Sequence, residues 1–377
     1  MTSGVEMRLF IGPVVPLPVS QDILEALVSA SVTCATPDAP GVFQLIFDID
    51  QRSPLTTLFV LSGGAPIPMV RVVIAARMAG VDTILIDGVM THHEVTPGPS
   101  PGTSRLSVTG EDMSRVMDYI PFDFIRYPAM PDFARVNLIL AKYAFLGVIP
   151  MVIPSVLLDV PLPTSSIPQH HGKDLGYMKE LAEKVGYVFM MRPGPTVGTS
   201  IAYWGPDVQM GDVQPALNLD MDAWRNIRDA SASFDTQKGM IPIVVIQNPE
   251  TKVPIPIPVV VNPVLNPPLG AVPPIPLRVE LMNDTGHLNP VQAALIGMAR
   301  AARAQSGPLK VTGSLDVQTY GRMLEPYKLV GLRGAGPAYT GLFYVEQVTT
   351  SFSGGQLTQS FVLSRNGLVS TVEKVPA

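Results

Sequence analysis

Two pairs of adjacent histidines, His92-His93 and His170-His171, are the residues best suited to bind a metal ion. A zinc site needs three or four ligands that converge on one point. Adjacent residues on a strand point to opposite faces, so neither pair can supply two ligands to one ion. No third ligand follows either pair at a useful spacing. The sequence therefore predicts no metal site, and histidines that are solvated or hydrogen-bonded.

The other chemically reactive residue types also lack partners. Cys34 is the single cysteine, which excludes an intramolecular disulfide, and its alternating neighbours predict a small core residue rather than a nucleophile. Glu180 and Glu183 are predicted to lie on a solvated helix face rather than to form a general acid and base. Neither a phosphate-binding loop with Lys-Ser or Lys-Thr nor a Gly-x-Ser-x-Gly motif is present. We expect no catalytic residue and no cofactor.

Composition limits the partners of the chain. Of its 377 residues only 15% are charged and 46% are hydrophobic, which indicates a surface with few charged groups. Such a surface is expected where other subunits cover it or, alternatively, in a compact monomer with a large core. The net charge of −5 argues against sequence-specific nucleic-acid binding, which needs clustered cations. The longest apolar segment, residues 144–158, is broken by prolines and is too short to span a bilayer. The first apolar segment contains Glu6 and Arg8, so no secretory signal is predicted.

The elements that must position these side chains begin with a block of strands. Apolar and polar residues alternate in segments rich in β-branched side chains, which predicts strands at residues 42–49, 70–75, 84–89 and 105–108. Residues 22–36 fit both a helix and a strand, and the β-branched residues favour a strand. A short helix beginning near Glu111 closes this antiparallel β unit.

The middle of the chain has a different pattern. Residues 132–147 and 173–186 have the spacing of amphipathic helices, and Gly186 stands where a helix would end. Residues 187–192 then form a strand pattern. Residues 125–205 are therefore predicted to form a small α/β domain. The two isolated tryptophans, Trp204 and Trp224, are expected to be buried.

A proline-rich segment follows. Residues 249–276 contain ten of the 39 prolines, a density that prevents a helix and weakens central strands. Two interpretations stay open: an extended arm laid along another surface, and a disordered loop. Residues 290–305 then have the pattern of a helix, with a proline in the first turn and arginines near its end.

The C-terminal segment from residue 343 to 367 predicts a β-hairpin. Gly354-Gly355 suits a two-residue turn because both positions accept positive φ. This turn fixes a register with one apolar face and one hydroxyl-bearing face. The predicted facing pairs are Phe352 with Leu357, Val348 with Phe361, Glu346 with Leu363, Ser351 with Thr358, and Thr349 with Ser360. A lone hairpin is marginally stable, so these strands require a closed barrel or a partner chain. The hydroxyl-bearing face would then line a channel or contact a neighbouring chain.

The two β blocks resemble each other. Residues 86–89 align with 345–348, and residues 106–109 align with 361–364, with a turn four residues longer in the first copy. This alignment makes Val89 and Leu106 the counterparts of Val348 and Phe361. It predicts two similar β units in one chain, six in a trimer.

Three segments carry a resemblance to a known family. "LIDGVMTHHEVTPGPSPGTSRLSVTGEDMSRVMD" at residues 85–118, "KDLGYMKELAEKVGYVFMMRPG" at 173–194 and "GLFYVEQVTTSFSGGQLTQSFVLSRNGL" at 341–368 resemble, in the expected order, segments of phage late-control D and baseplate hub proteins. Similar modules form the hub half of the trimeric VgrG-like spike proteins of contractile injection systems.

The resemblance implies an α+β, mainly β fold. It comprises two tube-like antiparallel β-barrel domains, an inserted small α/β domain and the proline-rich arm, and three chains would form a pseudo-sixfold ring. The implied boundaries are 1–124 for the first barrel, 125–205 for the α/β domain, 206–240 with 325–377 for the second barrel, and 241–324 for an insertion that carries the arm and the helix at 290–305.

The implied function is a trimeric baseplate hub that joins the hexameric tail tube to the central spike around an axial channel, without catalysis. Its expected partners are the tube protein or a tube initiator, a separate spike protein, baseplate wedge or LysM-type adaptor proteins, and a tape measure protein in the channel. The spike is expected to be separate because the sequence reaches Ala377 without a repetitive β-helix needle. We expect a virion tail baseplate or an injection particle, assembled in the bacterial host cytoplasm. Residues expected to support the barrels or the subunit interface are Val89, Leu106, Val348, Phe352, Gly354, Gly355, Leu357, Phe361 and Leu363.

Two other classes of function stay open. A tail-associated peptidoglycan hydrolase would need a carboxylate pair in a cleft. A β-rich module that binds a host surface would need exposed aromatic platforms.

Overall fold

The structure is a computed structural model, which describes residues 5–50, 53–55, 59, 69–98, 102–155, 167–220, 225–238, 240–247, 253–258, 267–275, 278–282, 296–298 and 307–372. It is mainly β, as expected.

Within the described residues, the main elements of the N-terminal block are strands and short helices. They are β1 Glu6–Gly12, β2 Leu17–Pro18, helix α1 Gln21–Glu25, β3 Leu27–Thr33, β4 Val42–Ile49, β5 Arg71–Met78, β6 Val81–Pro97, β7 Ser104–Asp112 and a 3-10 helix Met113–Asp118. Strand β4 has the predicted bounds, and its alternate residues are buried. The strand favoured at residues 22–36 is wrong in its first part, where α1 precedes β3. There Ile23 is the buried residue of a single helical turn.

The segment between residues 125 and 205 combines helices with strands. It contains α2 Asp132–Ala141, a 3-10 helix Ala144–Leu146, β8 Val148–Val152, α3 Asp174–Lys184, β9 Val188–Pro193 and β10 Ser200–Gly205. Strand β10 pairs in parallel with β8 and antiparallel with β9. Gly186 lies just beyond α3 with a φ of 73°, the left-handed conformation expected after a helix end. Trp204 is buried as predicted, whereas Trp224 lies outside the described residues.

The remaining elements form the C-terminal part of the chain. They are β11 Val213–Asn218, β12 Asp229–Phe234, β13 Met240–Gln247, β14 Pro254–Pro258, β15 Gly270–Val272, β16 Arg278–Met282, β17 Leu309–Asp316, a short helix Val317–Tyr320, β18 Leu329–Arg333, β19 Gly341–Ser353, β20 Gln356–Arg365 and β21 Leu368–Ser370.

One 13-stranded sheet joins the two β blocks. Its order is β12-β17-β20-β19-β3-β4-β7-β6-β5-β1-β2, and β18 pairs with β19 and β11. The junction is the antiparallel pair β3–β19, in which Thr33 lies opposite Thr349 and Ser29 opposite Ser353. Strand β17, which the predicted boundaries assign to the insertion at 241–324, pairs with β12 and β20 inside this sheet.

Two hydrophobic cores lie on one face of the sheet. The N-terminal core combines side chains of β1, β3, β4, β5 and β7, and the C-terminal core combines those of β11, β17, β18, β19 and β20. Strands β1 and β4 are four steps apart in the sheet but share one core, so the sheet curves around it. Each block is therefore a curved unit of the expected tube-like kind, and Leu85 and Phe352 contact both cores.

The described parts of the proline-rich segment pair with the same chain. Strand β14 pairs with β13 at the edge of a three-stranded sheet, and β15 pairs with β21. An edge position suits β14 because proline cannot donate a ladder hydrogen bond. Within the predicted helix at 290–305, residues 296–298 are helical and the others lie outside the described residues.

The proposed alignment of the two β blocks is out of register with the strand pairing. Leu106 lies opposite Val95, whereas its supposed counterpart Phe361 lies opposite Val348. Strand β6 is longer than the alignment assumed, so Val95 and not Val89 occupies the position equivalent to Val348. The two hairpins share an architecture without sharing that sequence register.

Candidate functional site

The β19–β20 hairpin has the predicted turn and most of the predicted register. Gly354 and Gly355 have φ values of 57° and 77°, as a two-residue hairpin turn requires. Four predicted facing pairs are confirmed: Phe352 with Leu357, Val348 with Phe361, Ser351 with Thr358, and Thr349 with Ser360. The fifth is wrong because a β-bulge lies between Val345 and Gln347. It places Val345, rather than Glu346, opposite Leu363.

The apolar residues predicted to matter for assembly are buried inside the chain, apart from Phe352, which is half-buried. Val348, Phe352, Leu357, Phe361 and Leu363 belong to or pack against the C-terminal core. Leu106 belongs to the N-terminal core, and Val89 to the core of the α/β domain. Only the turn glycines are exposed among the nine. A role of these residues at a subunit contact stays a prediction.

The opposite face of the sheet forms a continuous polar surface over eight neighbouring strands, from β12 to β6. The alternation of side chains and the register of each pair place its residues in common rows. We call this surface the polar wall. It consists of Asp229, Ser231 and Ser233; Lys310, Thr312, Ser314 and Asp316; Thr358, Ser360 and Val362; Gln347, Thr349, Ser351 and Ser353; Ser29, Ser31 and Thr33; Val42, Gln44, Ile46 and Asp48; Arg105, Ser107, Thr109 and Glu111; and His92, Glu94 and Thr96. None of these side chains is buried.

The chemistry of the polar wall is dominated by hydroxyl groups. The wall positions of its three central strands, β20, β19 and β3, carry no charged residue. The hydroxyl oxygens of Thr33 and Thr349 lie 2.9 Å apart across the junction of the two blocks. Toward the margins charges are paired, as in Arg105 with Asp48 at 3.2 Å. The surface is polar, and the charges at its margins are in part neutralised by partners.

The core side of the hairpin contains a buried amide that holds the turn-bearing strands to a neighbouring loop. The side chain of Gln359 is 1% exposed, accepts a hydrogen bond from the backbone N–H of Leu324 at 2.8 Å and donates to its carbonyl at 3.1 Å. The same amide donates to the Thr350 hydroxyl at 3.1 Å. Sequence reasoning missed this group, although the alternation already placed Thr350 and Gln359 on the apolar face.

A buried ion pair attaches the α/β domain to the N-terminal block. Arg71 donates to both carboxylate oxygens of Asp87, at 2.7 and 2.6 Å, and to the carbonyls of Val14 and Gly198. Ser200 of β10 also donates to Asp87. Burial raises the pKa of the Asp87 carboxyl, and the adjacent Arg71 opposes that shift. Gly198 and Ser200 belong to the α/β domain, so the ion pair fixes how the domain attaches to β5 and β6.

The histidines have structural surroundings. His92 lies on the polar wall and His93 on the other face, as the alternation predicts. His170 is buried, with Nδ1 3.0 Å from the Tyr127 hydroxyl and Nε2 3.3 Å from Asp174 Oδ1. Burial lowers the pKa of its imidazole. Among the described residues no group of three or more His, Cys, Asp or Glu is arranged to hold a metal ion.

Three further features concern the predicted core cysteine, a cavity and the membrane. Cys34 is buried and its Sγ accepts a hydrogen bond from the Val348 N–H at 3.3 Å, as a core residue would. A cavity of about 200 Å³ brings Asp38, Asp207 and Glu346 together with Lys310, and Glu346 is ion-paired to Lys310 at 3.1 Å. No helix in the described ranges is long and apolar enough to cross a membrane.

Two curved β units that share one sheet, with an inserted α/β domain, define the class of fold. No protein-family profile matches the sequence, and no curated protein matches it. Solved structures do. A tail protein from Neisseria meningitidis has a TM-score of 0.63 at 14% identity, covering 97% of this chain and 98% of that chain. The tail protein of prophage MuSo2 from Shewanella oneidensis has a TM-score of 0.61 at 12% identity, covering 96% and 98%.

A third similar structure comes from a secretion system. It is an Escherichia coli component of the type VI secretion system that is described as structurally similar to bacteriophage T4 tail proteins. Its TM-score is 0.51 at 11% identity, covering 93% of this chain and 76% of that chain. The chain therefore has the fold of phage tail proteins and of a type VI secretion component.

Proposed function

We propose that the chain is a structural component of a contractile tail or a related injection system, and specifically its hub. Three copies form a ring, and the polar wall faces an axial channel. The observation that carries this proposal is the wall itself, eight hydrogen-bonded strands wide and continuous across both β units. The similarity of the whole chain's fold to tail proteins supports the same proposal.

The dimensions of the wall suit such a channel. Eight strands at about 4.8 Å spacing give a width of about 38 Å for each copy. Three copies then give a circumference of about 115 Å and a backbone diameter of about 37 Å, larger if the strands tilt. An α-helix with its side chains is about 10–12 Å wide, so an extended or helical polymer passes through.

The surface chemistry suits passage rather than binding. The hydroxyl residues of the wall are exposed or half-buried, and they carry no positive charge that would bind phosphates. In this arrangement the ring joins a hexameric tube to a trimeric spike, because three copies of two similar β units approximate sixfold symmetry. A tube protein or tube initiator, a separate spike, wedge or LysM-type adaptor proteins and a tape measure protein are the proposed partners. The location is the tail baseplate or injection particle, assembled in the bacterial host cytoplasm.

The mass of the purified protein, alone and mixed with its tube and spike partners, tests this proposal. The expected result is a particle of three copies. A chain that stays monomeric under all these conditions would contradict the hub. Digestion of peptidoglycan by the purified chain, abolished by Glu346→Gln in the cavity, would instead favour the hydrolase.

A further inference from the structure

A polar cavity lies at one end of the polar wall, where several parts of the chain meet. Its volume is about 200 Å³, and a cavity of about 150 Å³ accepts a molecule of the size of benzene. From the sheet it is lined by Lys310, Ser364 and Tyr344, which lie in one row across β17, β20 and β19. The loop after β3 contributes Asp38, and the loop after β10 contributes Asp207. The cavity is therefore large enough for a small organic molecule and polar on several sides.

Two buried hydroxyl groups that line the cavity have no hydrogen-bond partner in the described part of the chain. Tyr344 and Ser364 are 6% and 2% exposed. Leaving a buried hydroxyl unpaired is unfavourable, so such a group in a folded protein needs an explanation. Burial raises the pKa of the Tyr344 hydroxyl, which keeps it protonated and able to donate a hydrogen bond. Both hydroxyls are available to a molecule bound in the cavity.

The charged groups of the cavity have both signs. The ammonium group of Lys310 lies 3.1 Å from Glu346 Oε1, and that of Lys238 donates to a backbone carbonyl at 3.4 Å. An ammonium group has three N–H donors, so both lysines retain donors for a ligand. Asp38 and Asp207 place two further carboxylates around the same space. Carboxylates and ammonium groups thus face one cavity together.

This mixture of charges limits the class of ligand. Two ammonium groups disfavour a bare metal ion, and among the described residues the carboxylates are not grouped to hold one. A phosphate or another simple anion would meet three carboxylates in the same space. A molecule that carries one charge of each sign can pair both charges, and charge-assisted hydrogen bonds of this kind are the stronger ones. The hydroxyls of Tyr344 and Ser364 can add to them.

We propose that this cavity binds a small zwitterion, with an ammonium group and a carboxylate a few ångströms apart, as in a free α-amino acid. The ligand's carboxylate faces Lys310 and Ser364, which are neighbours in the row. Its ammonium group faces Asp207 and the hydroxyl oxygen of Tyr344. The bound molecule satisfies both buried hydroxyls and links the loops after β3 and β10 to the C-terminal block. The site needs no second copy of the chain, so it does not depend on the proposed hub function.

Calorimetric titration of the purified chain with L-alanine tests the site. Propionate lacks the ammonium group, ethylamine lacks the carboxylate, and glycerol offers hydroxyl groups without charge. We expect saturable binding of L-alanine that is at least tenfold tighter than binding of any of these three. Propionate, ethylamine or glycerol binding as tightly as L-alanine would overturn the recognition of a zwitterion. Absence of binding by L-alanine and by the longer zwitterions free lysine and free glutamate would overturn the site itself.

Removal of single hydroxyl groups shows where the ligand binds. Tyr344→Phe and Ser364→Ala should each weaken L-alanine binding about tenfold. Neither change should destabilise the free chain, because neither hydroxyl has a partner among the described residues. Tyr320→Phe is the matched control: Tyr320 is also buried, but its hydroxyl donates to the Pro215 carbonyl at 2.7 Å and does not line the cavity. It should leave L-alanine binding unchanged.

The variants separate this site from other outcomes. L-alanine affinity that is unchanged in both Tyr344→Phe and Ser364→Ala would place the binding elsewhere and overturn the proposal. If neither variant folds, Lys238→Gln at a half-buried position should weaken L-alanine binding at least tenfold, and unchanged affinity there has the same meaning. A chain that binds L-alanine but never assembles contradicts the hub and supports the site, whereas a ring that binds no zwitterion contradicts the site alone.

Discussion

Removing the guanidinium of Arg71 gives the sharpest test of how the α/β domain is attached. The side chains of Arg71 and Asp87 are 2% and 0% exposed, and the guanidinium reaches two carbonyls besides the carboxylate. Arg71→Met keeps most of the side-chain volume but leaves Asp87 buried with Ser200 as its remaining hydrogen-bond donor. Breaking a buried pair in this way costs about 3–5 kcal/mol of unfolding free energy, because an uncompensated charge stays in the interior.

The same change should make stability depend on pH. Burial already raises the pKa of Asp87 above its ordinary value of 3.8, and the loss of Arg71 raises it further. A carboxyl whose pKa is higher in the folded state binds a proton more readily when folded. Its contribution to stability is therefore greatest below 3.8 and is lost as pH rises through the folded-state pKa. The difference in unfolding free energy between Arg71→Met and the wild type should consequently be smaller at pH 5 than at pH 8.

Chemical denaturation followed by the fluorescence of buried Trp204 measures both effects. Arg77→Met is the matched control on the same strand, because Arg77 and its partner Asp82 are 38% and 37% exposed. A surface pair of this kind contributes at most about 1 kcal/mol. If Arg71→Met destabilises no more than Arg77→Met, or if its defect does not shrink at acid pH, the account of the domain attachment is wrong.

Three further predictions concern the hairpin and the core. Gln359→Ala should lower the free energy of unfolding by about 1–3 kcal/mol, because the buried backbone N–H and C=O that its amide satisfies lose their partner; exposed Gln356→Ala should change it by less than about 0.5 kcal/mol. Replacing Gly354 and Gly355 by valines should lower the fraction of protein assembled into rings more than it lowers the secondary-structure content measured by circular dichroism, because the positive φ of the turn strains each valine by roughly 1–2 kcal/mol. Unchanged assembly would show that the hairpin turn is not at a subunit contact. Burial raises the pKa of the Cys34 thiol, so alkylation at pH 8 should be slow in the folded chain and fast in denaturant; rapid reaction without unfolding would contradict its placement in the core.

Local patterns predicted the elements well because those elements are locally determined. The alternation in residues 42–49 gave the bounds of β4, and two adjacent glycines gave the hairpin turn. Helix α3 followed from its apolar stripe and from Gly186. In each case the signal lies within a few residues of the structure it specifies.

Contacts between distant segments could not be predicted from the sequence. The β3–β19 pair joins residues more than 300 positions apart, and no local pattern encodes that choice of neighbour. The polar wall depends on this strand pair, because the two halves of the wall are joined where Thr33 lies opposite Thr349. The bulge at Glu346 was also missed, because a constant alternation was assumed along the strand, whereas the extra residue shifts its phase so that Val345 and Val348 both face the core.

Buried polar groups were the other omission. Gln359 and Thr350 stood on a predicted apolar face, and a polar residue there indicates a satisfied buried network. His170 gave no such signal, because it lies outside the predicted strands and helices and its partner Tyr127 comes from 43 residues earlier in the chain. A rule that flags polar residues at core positions would have found the amide and not the histidine.

A three-dimensional reconstruction of the assembled particle by electron microscopy tests the central claim most directly. We expect a closed ring of three copies in which the hydroxyl-bearing strands β20, β19 and β3 face the axial opening and the two hydrophobic cores lie outside them. A ring whose opening is lined by other elements, with the polar wall on its outer surface or buried against another protein, would contradict the account.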